Sequence, residues 1–175
     1  MRKFKALSVA LLAAGFVQAQ DIAEARKAID AEQYDKAKKT LQSIWETKPD
    51  GRVAFLLGNI YMKQNVTDSA KFYYQKGLAA PENGKLNYIG LGQIDLDNGN
   101  ASAARANFDL ATKDMRKKDT EQLIAVARAY MSADKPDYKA AIAALNKAKT
   151  NNPNDAQVLL ALGDAHYGDK NQNEA

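Results

Sequence analysis

The chain holds one histidine, His166, and no cysteine among its 175 residues. The side chains that most often carry protons or act as nucleophiles near neutral pH are therefore almost missing. No serine or threonine stands in a nucleophile-elbow or triad context, so acid–base and nucleophilic catalysis cannot be assembled from what is present. The chain reads as non-enzymatic, with no metal site and no cofactor. The acidic run D-L-D-N-G-N at 95–100 has the residue types of a calcium loop. Its Gly99 comes one place early and the closing bidentate glutamate is missing, so it reads as a turn between helices. Two aromatic groups, Phe72-Tyr73-Tyr74 and Trp45, have the chemistry of a ligand-stacking platform. At helical spacing they read as plugs in a core.

The elements that position these residues are helices in a repeating order. Gly58, Gly92, Ala127 and Gly163 each follow an aliphatic residue, and each lies three before Tyr61, Asp95, Tyr130 or His166, with 34 to 36 residues between copies. His166 thus falls at a position that packs between two helices, and reads as structural. A second mark recurs in step. Ala37, Ala70, Ala104 and Ala141 precede Leu41, Tyr74, Phe108 and Leu145 by four, and Ile44, Gly77, Ala111 and Ala148 follow three later. Small, bulky and small residues at these offsets share one helix face, where two backbones approach around a single plug. A period in this range belongs to arrays whose units cannot bury their own apolar face and must stack. Helices are predicted at about 21–31, 34–48, 52–64, 68–79, 85–97, 101–116, 120–132, 138–150 and 155–167. Pro49, Pro81, Pro136 and Pro153, with Asp50-Gly51, Asn83-Gly84 and Asn98-Gly99-Asn100, punctuate the turns. The fold class is all-α: a right-handed α-solenoid of antiparallel helix hairpins.

These residues resemble the tetratricopeptide repeat family. The strongest unit runs from Ala54 to Pro81, reading A-F-L-L-G-N-I-Y, a turn at 63–67, then D-S-A-K-F-Y-Y-Q-K-G-L-A-A-P. The next unit keeps Leu91, Gly92, Ala104, Phe108 and Ala111 but has Asp95 where the family places an aromatic and Arg116 where it places proline. The unit from Asp119 to Pro153 carries about two extra residues in its turn, S-A-D-K-P-D. In the first unit only the second helix fits well. The resemblance covers nearly everything after residue 20, as about four units and a truncated last one.

The first nineteen residues differ. Arg2, Lys3 and Lys5 precede an apolar run from Ala6 to Val17, and Val17-Gln18-Ala19 suits signal-peptidase cleavage before Gln20. Barely a dozen apolar residues are too few for a transmembrane anchor, so no stable membrane insertion is expected after cleavage. No cysteine follows the run, which argues against a lipid anchor, and no disulfide can form. The chain is expected to be exported to the periplasm or envelope of a bacterium. There, Asn65-Val66-Thr67 and Asn100-Ala101-Ser102, sequons in form, read as helix caps.

Charge excludes another class. The net charge is +4, and the leader supplies three of those charges, leaving +1 for residues 20–175. With acids and bases interspersed, the cationic footprint that nucleic acid requires is missing. The basic cluster M-R-K-K at 115–118 is expected to end a helix, where cations complement the macrodipole.

The family resemblance implies a concave groove lined by leading helices that holds a protein partner, as an extended peptide or a helix. Carried onto this chain, that face selects Phe55, Asn59 and Met62; Ile89, Gln93 and Leu96; Ile124, Arg128 and Met131; and Leu160, Asp164 and Tyr167. The floor is apolar, and Asn59, Gln93, Arg128 and Asp164 form a polar stripe. The clamp by which some members grip a C-terminal carboxylate is incomplete: Asn59 is kept, but Phe55 replaces a clamp lysine and Glu121 stands where another is expected. A scaffold or adaptor of the envelope is the function implied. The last repeat stops where a second helix is expected to begin, after Tyr167, so the chain reads as part of a longer one. The alternative is a spacer or targeting arm for an enzymatic or carbohydrate-binding domain further along.

Overall fold

The computed structural model describes residues 20–116 and 119–174. The leader at 1–19, and with it the signal-peptide reading, lies outside them. Nine helices and no strand occur among the described residues: α1 (20–30), α2 (Tyr34–Thr47), α3 (Gly51–Lys63), α4 (Thr67–Leu78), α5 (Leu86–Asp97), α6 (Ala101–Thr112), α7 (Glu121–Ser132), α8 (Tyr138–Asn151) and α9 (Ala156–Glu174).

The even-numbered helices α2 to α8 follow one rule. Each buries the small–bulky–small triplet read from the sequence: Ala37, Leu41 and Ile44; Ala70, Tyr74 and Gly77; Ala104, Phe108 and Ala111; Ala141, Leu145 and Ala148. The offsets of four and three put the three residues on one stripe of each helix. Facing the plug is the small residue of the preceding helix. A Cβ at Gly92 would lie 2.5 Å from Cε1 of Phe108, and one at Gly58 would overlap the Tyr74 ring. Glycine is therefore required here by close approach of a ring, not by its backbone angles.

The turns are built locally. Asp50 caps α3 by accepting from Arg52 N at 2.7 Å, and Asn83 Nδ2 donates to both oxygens of the same carboxylate at 3.1 and 3.0 Å. Gly51 N donates to Glu82 O at 2.8 Å, so the start of α3 and the loop after α4 are tied together. Asp137 caps α8 through Ala140 N at 2.9 Å. Gly99, at φ +77°, carries the left-handed residue of the 95–100 turn, which does join two helices.

The chain divides between Asn83 and Gly84 into two compact units. In the first, Ala25 and Ala28 of α1, Ala37, Leu41 and Ile44 of α2, and Val53, Leu56, Leu57 and Ile60 of α3 form one core, with Trp45 and Tyr73 packed on its edge. The second holds the hairpins α5–α6 and α7–α8, with α9 packed on α7 and α8. An apolar cluster in it runs from Leu123 and Ala127 through Leu145 to Val158 and Ala165.

Several expectations change. α6 ends at Thr112, not 116, so Met115 and Arg116 lie in the loop, and 117–118 fall outside the described residues. Arg116 serves that loop by a two-pronged contact with Asp119, at 2.9 and 3.1 Å. The C-terminal carbonyl of Lys113 instead receives Lys85 Nζ at 2.8 Å. Neither sequon asparagine caps through its side chain: Asn65 takes the left-handed turn position at φ 57°, and Asn100 occupies the N-cap of α6 without a side-chain bond. α9 continues unbroken past Tyr167 to Glu174, because Gly168 and the polar residues after it keep helical geometry. His166 is exposed there, since no described residue packs on its side of α9, and Gly163 has nothing within 4 Å of its missing Cβ. Phe72, 52% exposed, is not a core plug either; its ring meets Tyr73 edge-on at 5.4 Å, and Lys76 lies over it.

Candidate functional site

The odd-numbered helices α3, α5, α7 and α9 carry the residues chosen as a partner-binding face, and the structure sorts them by exposure. In the first unit, Phe55, Asn59 and Met62 are half-buried on α3. Phe55 lies 6.1 Å from the Tyr74 ring, centroid to centroid. Asn59 Oδ1 accepts from the Tyr74 hydroxyl at 2.8 Å, satisfying the polar end of a ring that is otherwise fully buried. Asn59 is thus partly committed to the hairpin's own core.

In the second unit, Ile89 and Ile124 are only 1% and 4% exposed. These two do not line a binding face, and the expectation is corrected. On a central helix the first residue of the chosen stripe turns toward the neighbouring helix and enters the core, while the residues four and seven later stay at the rim. Gln93 and Leu96 are half-buried. Gln93 Nε2 donates to Ser132 Oγ at 3.1 Å, and Ser132 Oγ donates to Arg128 O at 2.7 Å, linking α5 to the end of α7.

Gln93 and Asn59 hold equivalent places with different partners, for a reason visible in the plugs. Phe108 replaces Tyr74 one repeat on and has no hydroxyl, so the amide at 93 turns to the next leading helix. A parallel exchange occurs two residues along. Tyr61 stacks on Tyr73 with centroids 5.4 Å apart, whereas Asp95, in Tyr61's place, accepts from Asn107 Nδ2 at 2.8 Å. A second acid of the 95–100 turn, Asp97, accepts from Asp134 N at 3.1 Å, and burial raises its carboxyl above the usual range. Each acid of that turn has its own structural partner. Among the described residues no group of three His, Cys, Asp or Glu side chains is arranged to hold a metal ion.

The exposed members collect toward α9. Arg128, Leu160, Asp164 and Tyr167 are exposed, Leu160 to 68% and Tyr167 to 71%, and Met131 is half-buried. Met131, Asp164 and Tyr167 border one open cleft of about 600 Å³, whose other lining residues are Pro136, Tyr138, Gly168 and Asn171. Arg128 stands one turn before Met131 on α7. Three expected residues are therefore brought together, and four unexpected ones join them. Tyr138 was missed because it starts a trailing helix; Gly168 and Asn171 were missed because the leading helix was expected to end first. The spacing of Asp164, Tyr167, Gly168 and Asn171 at three, four and seven was a usable signal for one helix face.

No helix among the described residues is long and apolar enough to cross a membrane. The tetratricopeptide repeat model matches residues 51–83, which is α3, α4 and the loop that returns to Asp50. No curated protein matches the chain. Among solved structures, a chain in the crystal structure of the APC/C hetero-tetramer Cut9–Hcn1 is similar with a TM-score of 0.52 and 17% identity, over 85% of this chain. This chain spans 29% of that one. One tetratricopeptide repeat is thus matched in sequence, at residues 51–83, and it lies within an array of paired helices whose fold is shared over most of the chain.

Proposed function

We propose that this array is a protein-interaction scaffold of the bacterial cell envelope that holds a peptide or helix of its partner against the leading-helix faces. The observation that carries this reading is the contrast between the two sides of the second unit. Its trailing helices bury the small–bulky–small stripe inside the hairpins and, among the described residues, expose one large apolar side chain, Leu110, while α7 and α9 leave Arg128, Leu160, Asp164 and Tyr167 exposed beside an open cleft. Isolated exposed apolar residues are ordinary on a protein surface; grouped ones beside a concavity with polar groups on its edge suit recognition.

Arg128 is the cation of the polar stripe and meets an acidic or carbonyl group of the partner. Arg128→Glu is expected to weaken association by about 1 to 3 kcal/mol, the range of a charge-assisted hydrogen bond, without changing helicity. Lys147, exposed on α8, is the control. A cross-linking pull-down from the native compartment supplies the partner, and titration calorimetry with both variants reads the effect. Loss of binding with Lys147→Glu but not with Arg128→Glu would move the partner to the trailing-helix side.

Export is part of the same proposal. It rests on the basic start and short apolar run of the first nineteen residues. Mass spectrometry of the native protein is expected to find Gln20 at the N-terminus, outside the cytoplasm. An intact Met1 on cytoplasmic protein would refute it.

A further inference from the structure

The cleft in the second unit has two unlike walls. One is a single face of α9, where Asp164, Tyr167, Gly168 and Asn171 follow each other at helical spacing. The other is Met131, with Pro136 and Tyr138 from the turn and first residue of the next helix. Gly168 joins the walls: a Cβ there would overlap the Tyr138 ring, so the ring lies directly against the α9 backbone. Tyr138 is thereby held in place, while Tyr167 projects into solvent beside it. Asp164 is the one charged residue of the lining, and among the described residues its carboxylate makes no hydrogen bond or ion pair.

These features favour one kind of occupant. A carboxylate attracts positive charge, and the faces of two tyrosine rings carry negative potential that does the same. An acidic side chain is repelled by Asp164, and an aliphatic one gains only contact area. A long basic side chain satisfies both walls, because its methylenes can lie along Met131 and Pro136 while its charged head reaches the carboxylate. We propose that this cleft receives a lysine or arginine side chain of the bound segment. The proposal rests on the scaffold reading above and deepens it. Arg128 and Asp164 sit on packed neighbouring helices whose axes lie about 8–10 Å apart. The bound segment therefore carries its acid toward α7 and its base toward α9, which fixes its direction.

A peptide library displayed on phage and panned against the protein tests this. Selected peptides are expected to share a lysine or arginine, and Asp164→Asn is expected to weaken the best of them about fivefold, the upper range for an exposed ion pair. Asp164→Lys is expected to select acidic residues at the same place, a reversal that loss of folding cannot produce. Added salt is expected to weaken the wild-type complexes. Peptides that bind with no basic residue in common and are indifferent to Asp164→Asn and Tyr167→Ala overturn the cleft assignment and leave the scaffold intact. Failure to select any peptide counts against both.

Discussion

The hydroxyl of Tyr74 decides where a neighbouring amide goes: with it, Asn59 bonds inside its own hairpin, and without it, at Phe108, Gln93 reaches Ser132. Small differences at the plug thus have effects on the binding side. The seat under each plug is equally exacting. Gly92→Leu puts a branched side chain where Cε1 of Phe108 already lies, and is expected to destabilise the protein by about 1 to 3 kcal/mol. Urea unfolding followed by far-UV circular dichroism reads this; Trp45 is the only tryptophan and lies in the other unit. An unchanged midpoint would remove Gly92 from the contact. Both glycine seats and all four buried triplets were legible in the sequence, because close packing leaves no freedom in the size or spacing of those residues. Ile89 and Ile124 were misplaced for the complementary reason: an apolar residue at the border of two helix faces fits either a core or a groove, and only the neighbours decide.

Helix starts are where sequence and structure agree best and where pH enters. Asp50 satisfies the first turn of α3 and also receives Asn83. Asp50→Ala is expected to cost about 1 to 2 kcal/mol in thermal or urea unfolding, the upper part of the range for a lost cap. Asp155 plays the same part for α9, accepting from Gln157 N at 2.9 Å, and its second oxygen takes the Thr120 hydroxyl at 2.6 Å. The Thr120 bond, with the backbone bonds, holds the Asp155 carboxyl below its ordinary value of 3.8. A depressed carboxyl stabilises the fold above the unfolded value and loses that contribution as pH falls through the folded one. Thr120→Val is therefore expected to reduce stability near neutrality and to flatten its decline below about pH 4, with the two proteins converging in acid. Parallel pH–stability curves would show that the bond does not tune Asp155. Helix ends were less legible. The extent of α6 depends on Asp114, at φ 59°, and on the Arg116–Asp119 contact, which no periodic pattern announces.

Across the whole chain, the repeats supply the same frame with different contents. Residues 20–175 carry a net charge of only +1 with the signs mixed, so this part is expected to leave duplex DNA unretarded in a gel shift near physiological salt. A salt-sensitive shift would contradict that. The paired exchanges between repeats have a practical consequence for anyone shuffling units of this array as cassettes. Tyr61 with Tyr73 and Asp95 with Asn107 are two complete solutions at one address, and mixing them sets an acid against an aromatic face or strands an amide. Transplanting Tyr74 into the place of Phe108 would bring a hydroxyl that competes for Gln93 and draws it away from Ser132. A chimera would keep its helices and yet present an altered edge to its partner, so specificity in such an array is inherited by coupled pairs rather than by single repeats.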